Sequence, residues 1–173
     1  MTFSIRKIIR GFVAPERRLS CSSKLWNEGL RELRRRTEGK HESGAFLLGY
    51  VEGDHRRITR FVYYDDLDPQ SLETGIVVFD GAGYGPLWRL CREAGLTVIA
   101  DVHVHGGSAR QSTADRENPM IAIPGHVALI VPDLAERAFG PSEICIYEYK
   151  GQHQWKDWSG ESADRFFYVG FWG

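Results

Sequence analysis

Asp101-Val102-His103-Val104-His105-Gly106-Gly107-Ser108-Ala109-Arg110-Gln111-Ser112-Thr113-Ala114-Asp115 is the stretch on which the reading of this sequence turns. It grows out of residues 96–104, where Thr97, Val98, Ile99 and Val102 are strand formers and predict a strand. Two histidines at i and i+2 on a strand point to one face. At a strand end that face can open into a cleft, where two imidazoles can grip one borderline-soft cation at about 2.0–2.1 Å. Asp115 follows His105 across a glycine-containing loop and is placed to return as the third ligand. Three protein ligands leave a fourth tetrahedral position for water, the arrangement of a catalytic zinc rather than a structural one. A bare His-x-His describes two solvent-facing or core-bonded strand histidines equally well. The glycines, serine and aspartate after it tip the reading toward a metal site.

A second informative piece lies upstream: Glu42-Ser43-Gly44-Ala45-Phe46-Leu47-Leu48-Gly49. A glutamate stands just before a short apolar strand. A carboxylate there can take a proton from a metal-activated water and pass it on; the plain alternative is a surface glutamate at a strand start. The strand at residues 45–51 pairs with 57–64 as a hairpin across Glu52-Gly53-Asp54. Ser22 or Ser23 caps a helix that runs to about Arg36, with Leu25, Trp26, Leu30 and Leu33 as its apolar stripe and Gly39 beyond its end.

The remaining elements are read the same way. Residues 5–13 are a weak strand candidate and 75–79 a short strand, with 65–69 as loop. A helix starts near Pro86, a residue favoured at the first helical position, turns Leu87, Leu90 and Cys91 inward, and stops at Gly95. A polar loop spans 106–119, and further strands cover 127–131, 144–149 and 166–171. The sum is one α+β domain over residues 1–173, a mixed and mostly antiparallel sheet flanked by two main helices.

Composition narrows the function classes. With 173 residues, 42% hydrophobic and 26% charged, the chain is of ordinary soluble-domain character. A net charge of -1 and a pI near 6.6 give no electrostatic reason to expect nucleic acid or an anionic membrane as partner. The run Arg31, Arg34, Arg35 and Arg36 reads as the solvated face of the first helix. Cys21, Cys91 and Cys145 form no CxxC pair and suit a reducing compartment, and no signal peptide or apolar span is seen, so a cytoplasmic location is expected. Asp80-Gly81-Ala82-Gly83-Tyr84-Gly85-Pro86 fails as a nucleotide loop because Pro86 occupies the third glycine position of G-x-G-x-x-G.

The two segments together resemble the JAMM motif of the JAB/MPN metalloprotease family, and in particular its prokaryotic stand-alone members. Glu42 matches the family's glutamate, His103 and His105 its His-x-His, and Ser112-Thr113-Ala114-Asp115 its Ser-x-x-Asp. Gly125-His126-Val127-Ala128-Leu129-Ile130-Val131-Pro132 resembles the strand after the motif, so the resemblance covers residues 22–132. Two departures stand out: Gly106 replaces the proline usual after the second histidine, and six residues rather than seven separate His105 from Ser112. Gly106 and Gly107 tolerate unusual backbone angles and can absorb the shortening.

The resemblance implies a JAB/MPN-like fold with cytidine-deaminase-like layering and one Zn2+ per chain on His103, His105 and Asp115. It implies Glu42 as proton carrier and Ser112 as hydrogen-bond donor to the developing oxyanion. The implied activity is a deubiquitinase-like isopeptidase cleaving after the C-terminal glycine of a ubiquitin-like protein or its conjugate. Activating and conjugating enzymes of the same system are the implied partners. A catalytically silent scaffold subunit and a metallopeptidase for small peptide or amino-acid conjugates are the alternatives. Metallo-β-lactamases, amidohydrolase-type barrels and cupins use His-x-His too, but the first would want an aspartate–histidine pair where Gly107 and Ser108 stand. His126 belongs to a strand near the site, His41 to a strand edge, and His55 and His153 to polar turns. Trp155, Trp158, Phe166, Phe167, Phe171 and Trp172 read as core closure at the C-terminal end.

Overall fold

The computed structural model describes residues 18–75, 77–79, 81–171 and 173. The strand expected at residues 5–13 lies outside them. In chain order the elements are β1 (Leu19–Ser22), α1 (Ser23–Arg36), β2 (Gly44–Glu52), β3 (His55–Tyr63), α2 (Tyr64–Leu67), α3 (Gly81–Ala94), β4 (Thr97–Val104), α4 (Thr113–Glu117), β5 (Val127–Val131), β6 (Cys145–Gly151), β7 (Gln154–Asp157), α5 (Ala163–Phe166) and β8 (Phe167–Gly170). Three 3-10 turns, Asp133–Ala135, Pro141–Glu143 and Gly160–Ser162, join the later elements.

The expected hairpin is the centre of the sheet. β2 and β3 pair antiparallel from Ala45↔Tyr63 to Glu52↔His55, and Gly53, at a φ of 61°, makes the turn. β4 lies antiparallel on the other side of β2, and β5 runs parallel to β4. β6 and β7 extend that side antiparallel, while β1 and β8 add parallel strands beyond β3. The result is a mixed eight-stranded sheet, β7-β6-β5-β4-β2-β3-β1-β8. It is larger than the sequence predicts. β1 is four residues with two serines, and β7 is Gln-Trp-Lys-Asp at an edge, so neither carries a strong strand pattern. Neighbours recruit both.

Residues 44–49 of β2 are buried on both faces, which explains their continuous apolar run. On one face Leu47 and Phe61 meet Trp26, Leu30 and Leu33 of α1, part of the larger core. Ser22 caps α1 by accepting from the Leu25 N–H at 3.3 Å, and Trp26 donates its indole N–H to the Phe139 carbonyl at 2.8 Å. Truncating a fully buried leucine such as Leu30 costs about 2–5 kcal/mol, so this face carries much of the stability. On the opposite face Phe46 and Leu48 meet Val62, Tyr64, and Leu87 and Cys91 of α3.

Four local expectations are corrected. α3 starts at Gly81, five residues before Pro86, so the proline sits inside the helix. Packing overrides the weak glycine-rich sequence there: the Tyr84 ring lies 4.9 Å from Phe79 and its hydroxyl donates to the Met120 carbonyl at 2.6 Å. Residues 77–79 form no strand; Phe79 instead packs on Phe46, with ring centroids 5.1 Å apart. Tyr64–Leu67 is a short helix rather than loop, as is Thr113–Glu117 within the expected long loop.

Candidate metal centre

β4 sets Asp101 and His103 on the face that carries Tyr64, because they are two residues apart on one strand. His103 lies between Gly44 of β2 and Ile130 of β5 in the sheet register. Gly44 is required there: a Cβ would meet the Tyr64 ring at 2.3 Å and the Val102 carbonyl oxygen at 2.9 Å. His105 stands just past the strand, yet its backbone is held at both ends. Its N–H donates to the Val131 carbonyl at 2.9 Å, and its carbonyl accepts from the Leu134 N–H at 2.8 Å.

Asp115 returns to these histidines on α4. Ser112 caps that helix, accepting from the Asp115 N–H at 3.1 Å, while the Ser112 N–H donates to Asp115 Oδ2 at 2.7 Å. The Ser-x-x-Asp spacing is therefore a capping box, and the six-residue loop closes without loss of it. The box both starts the helix and fixes the rotamer of the aspartate.

The three side chains converge. His103 Nε2 is 3.0 Å from His105 Nε2 and 3.4 Å from Asp115 Oδ1, and His105 Nε2 is 3.4 Å from Asp115 Oδ2. Donors at about 2.0–2.1 Å from a tetrahedral ion would lie about 3.3 Å from one another, so the spacing fits such an ion. Two imidazole nitrogens and a carboxylate suit zinc and permit manganese or iron. Without an ion, one Nε2 must donate a proton to the other. His103, His105 and Asp115 are the group that could hold a metal ion among the described residues.

Electrostatics point the same way. Burial disfavours charge on His103, but the carboxylates of Asp101 and Asp115 outweigh it and hold the imidazole's pKa up at about 10. Burial likewise opposes charge on Asp115, yet His103 and His105 keep it ionised well below the usual carboxylate range. Metal binding to this site is thus proton exchange for cation.

Glu42, ahead of β2, reaches the same place. Its Oε1 is 3.9 Å from His105 Nε2 and its side chain is 23% exposed. Its backbone N–H donates to the Gly75 carbonyl at 3.1 Å. Ser112 is exposed next to Asp115; its oxygen is engaged as an acceptor, which leaves the hydroxyl hydrogen to donate. All five sequence-predicted site residues therefore gather around one cluster.

Sequence reasoning left two neighbours without a role. Asp101, 1% exposed, accepts from His126 Nε2 at 2.5 Å and from the Tyr64 hydroxyl at 3.4 Å. A buried aspartate within an apolar strand, two residues before the first histidine, was the available signal. His41 turns to its neighbour's backbone instead, 2.9 Å from the Glu42 carbonyl. No helix of the described residues is long and apolar enough to cross a membrane.

No protein-family model matches this sequence. The solution structure of protein DSY2949 from Desulfitobacterium hafniense superposes over 87% of this chain and 92% of its own, with a TM-score of 0.61 at 20% identity, a likeness of fold. A probable metalloprotease, y4jG of Sinorhizobium fredii, is 30% identical over 117 residues, which span 68% of this chain and 72% of that protein. The chain belongs to the same metalloprotease-like family as y4jG.

Proposed function

We propose that this chain is a JAMM-type metallopeptidase of the JAB/MPN family that hydrolyses the amide bond after the C-terminal glycine of a ubiquitin-like protein. One observation carries the reading. His103, His105 and Asp115 bring their ligand atoms within 4.8 Å of one another, and Glu42 lies beside them. The metalloprotease-like family supports the peptidase chemistry, and the substrate class is what the resemblance to the JAMM motif implies.

His103, His105 and Asp115 would hold the ion, zinc by their donor set. When bound, it supplies Lewis-acid polarisation of the scissile carbonyl and makes water acidic enough to attack near neutral pH. Glu42 Oε1 takes the proton of the attacking water as the new C–O bond forms. It returns that proton to the amine nitrogen as the C–N bond breaks. The Ser112 hydroxyl donates to the oxygen on which negative charge develops, an interaction worth about 3–4 kcal/mol at comparable sites. Asp115 stays ionised and oriented because the Ser112 N–H and both histidines hold its oxygens. Water supplies the nucleophile, so no cysteine or serine attacks.

The test is cleavage of a ubiquitin-like protein carrying extra C-terminal residues, with bound metal measured on the same samples. Glu42→Gln keeps the metal and loses about 10²–10⁴-fold in turnover. A Glu42→Gln variant as active as the wild type would remove Glu42 from the mechanism. A wild type that binds metal and cleaves only short peptides would reassign the substrate.

A further inference from the structure

Asp101 is a buried carboxylate that the hydrolysis described above does not use. It is 1% exposed, and a charge that deep persists only with partners around it. The register supplies them. Asp101 pairs with Ala128 of β5, and His126 stands two residues before Ala128 on the same face of the chain. His126 Nε2 meets Asp101 Oδ1 at 2.5 Å, and the Tyr64 hydroxyl meets Oδ2 at 3.4 Å. The Tyr64 ring is itself wedged over Gly44. His126 is fixed by its backbone as well: its N–H donates to the Ile123 carbonyl and its carbonyl accepts from the Tyr149 N–H.

The remaining side of Asp101 faces His103. Oδ2 is 3.9 Å from His103 Nδ1, and that nitrogen is buried with no hydrogen-bond partner among the described residues. The opposite nitrogen of the same ring, Nε2, is the one aimed at His105 and Asp115. An imidazole gives a lone pair to a cation at one nitrogen and carries its proton at the other, and the group facing the protonated nitrogen decides which is which. Among the described residues, the carboxylate within 4 Å of Nδ1 is that of Asp101. A shift of about 1 Å brings the pair to the distance of a charge-assisted hydrogen bond.

We propose that Asp101, braced by His126 and Tyr64, is the positioning residue of the metal centre: it holds the proton of His103 on Nδ1 and so presents Nε2 to the ion. This rests on the metal site of the proposed function, and it adds that the affinity of that site is set from inside the sheet. Asp101 touches neither substrate nor ion, and acts through His103. His126 and Tyr64 act one step further out, by fixing the carboxylate.

The experiment reads metal affinity and the ring tautomer, with no substrate present. Zinc is titrated against a competing chelator for the wild type, Asp101→Asn, Tyr64→Phe and His103→Ala. Asp101→Asn binds zinc about 10–100-fold more weakly. Tyr64→Phe, which keeps the ring over Gly44, loses a smaller factor in the same direction. Long-range ¹H–¹⁵N spectra of the zinc-loaded wild type show His103 protonated at Nδ1 with that proton moved downfield by a hydrogen bond to the Asp101 carboxylate, a signature that a merely structural aspartate would not set. Wild-type affinity in Asp101→Asn, or zinc on Nδ1 of His103 in the wild type, overturns the proposal. Should Asp101→Asn fail to fold, the wild-type spectrum and the Tyr64→Phe titration decide it. A wild type that binds no zinc overturns the metal site and this proposal together, whereas wild-type binding lost in His103→Ala but unchanged in Asp101→Asn overturns this proposal alone.

Discussion

Arg36 sits among Glu32, Asp65 and Asp66 with contacts of 2.8, 2.5 and 2.8 Å, and its guanidinium lies 4.2 Å over the Tyr63 ring. His103 sits among His105, Asp115 and Asp101 at 3.0, 3.4 and 3.9 Å. In the first cluster every ion pair joins a donor to a carboxylate, and Arg35 adds a fork onto Glu32, whose pKa is held down to about 2 by that hydrogen bond. In the second, two nitrogens of the same kind face each other and a third nitrogen, His103 Nδ1, has no hydrogen-bond partner among the described residues. A cluster of charges that serves the fold completes its own hydrogen bonds. The His103 cluster instead sets two like nitrogens and a carboxylate around one point, an arrangement that fits a cation between them, and that difference is what points to a metal site.

The comparison can be broken at its ligand end first. His105→Ala should weaken zinc binding by at least 10³-fold, because two ligands no longer close the site, while the melting temperature in chelator stays near that of the wild type; isothermal titration and a thermal melt read the two. Next in size is the stabilisation that zinc itself gives. At a free concentration 100 times its Kd, zinc should stabilise the wild type by about 2.7 kcal/mol and His105→Ala by nearly nothing.

The third prediction concerns pH. His103 in the metal-free chain has its pKa raised from 6.5 to about 10, so its protonated form contributes stability that is full below pH 6.5 and lost as the pH climbs toward 10. Chelator-treated protein should therefore melt lower at pH 9.5 than at pH 6.5. Zinc-loaded protein should lack that decline, since the ion has replaced the proton. A chelator-treated protein whose melting temperature is flat over this range would mean that the carboxylates do not hold the proton. The smallest effect is at the other cluster. Arg36→Gln should cost about 1 kcal/mol, a few degrees of melting temperature, and leave zinc affinity unchanged.

How much of this was legible depends on where the pattern resides. The β2–β3 hairpin, α1 and β4 carry strong periodicity and turn signals, and each forms within a residue or two of its expected bounds. Ser112 and Asp115 were readable because their spacing matches the Ser-x-x-Asp of the JAMM motif, and in the fold the same spacing makes a capping box that sets Asp115 beside the two histidines. The start of α3 was not readable, since Gly81 to Gly85 has poor helix propensity and is ordered by Tyr84 packing on Phe79 and Phe46. β7 escaped because Gln154–Asp157 is a short polar edge strand that pairs with β6 across a tight turn, and β1 because its four residues are recruited by β3 and β8, far away in sequence. The role of Asp101 escaped for the same reason: its partner His126 is 25 residues on and meets it only through the parallel pairing of β4 with β5.

The measurement that bears most directly on the central claim is the metal content of purified protein, wild type beside His103→Ala and Asp115→Ala, after zinc has been supplied and excess removed. The account predicts about one zinc per chain in the wild type and none in either variant, with all three folded by circular dichroism. A folded wild type that retains no metal, or an Asp115→Ala variant that retains as much as the wild type, would contradict it.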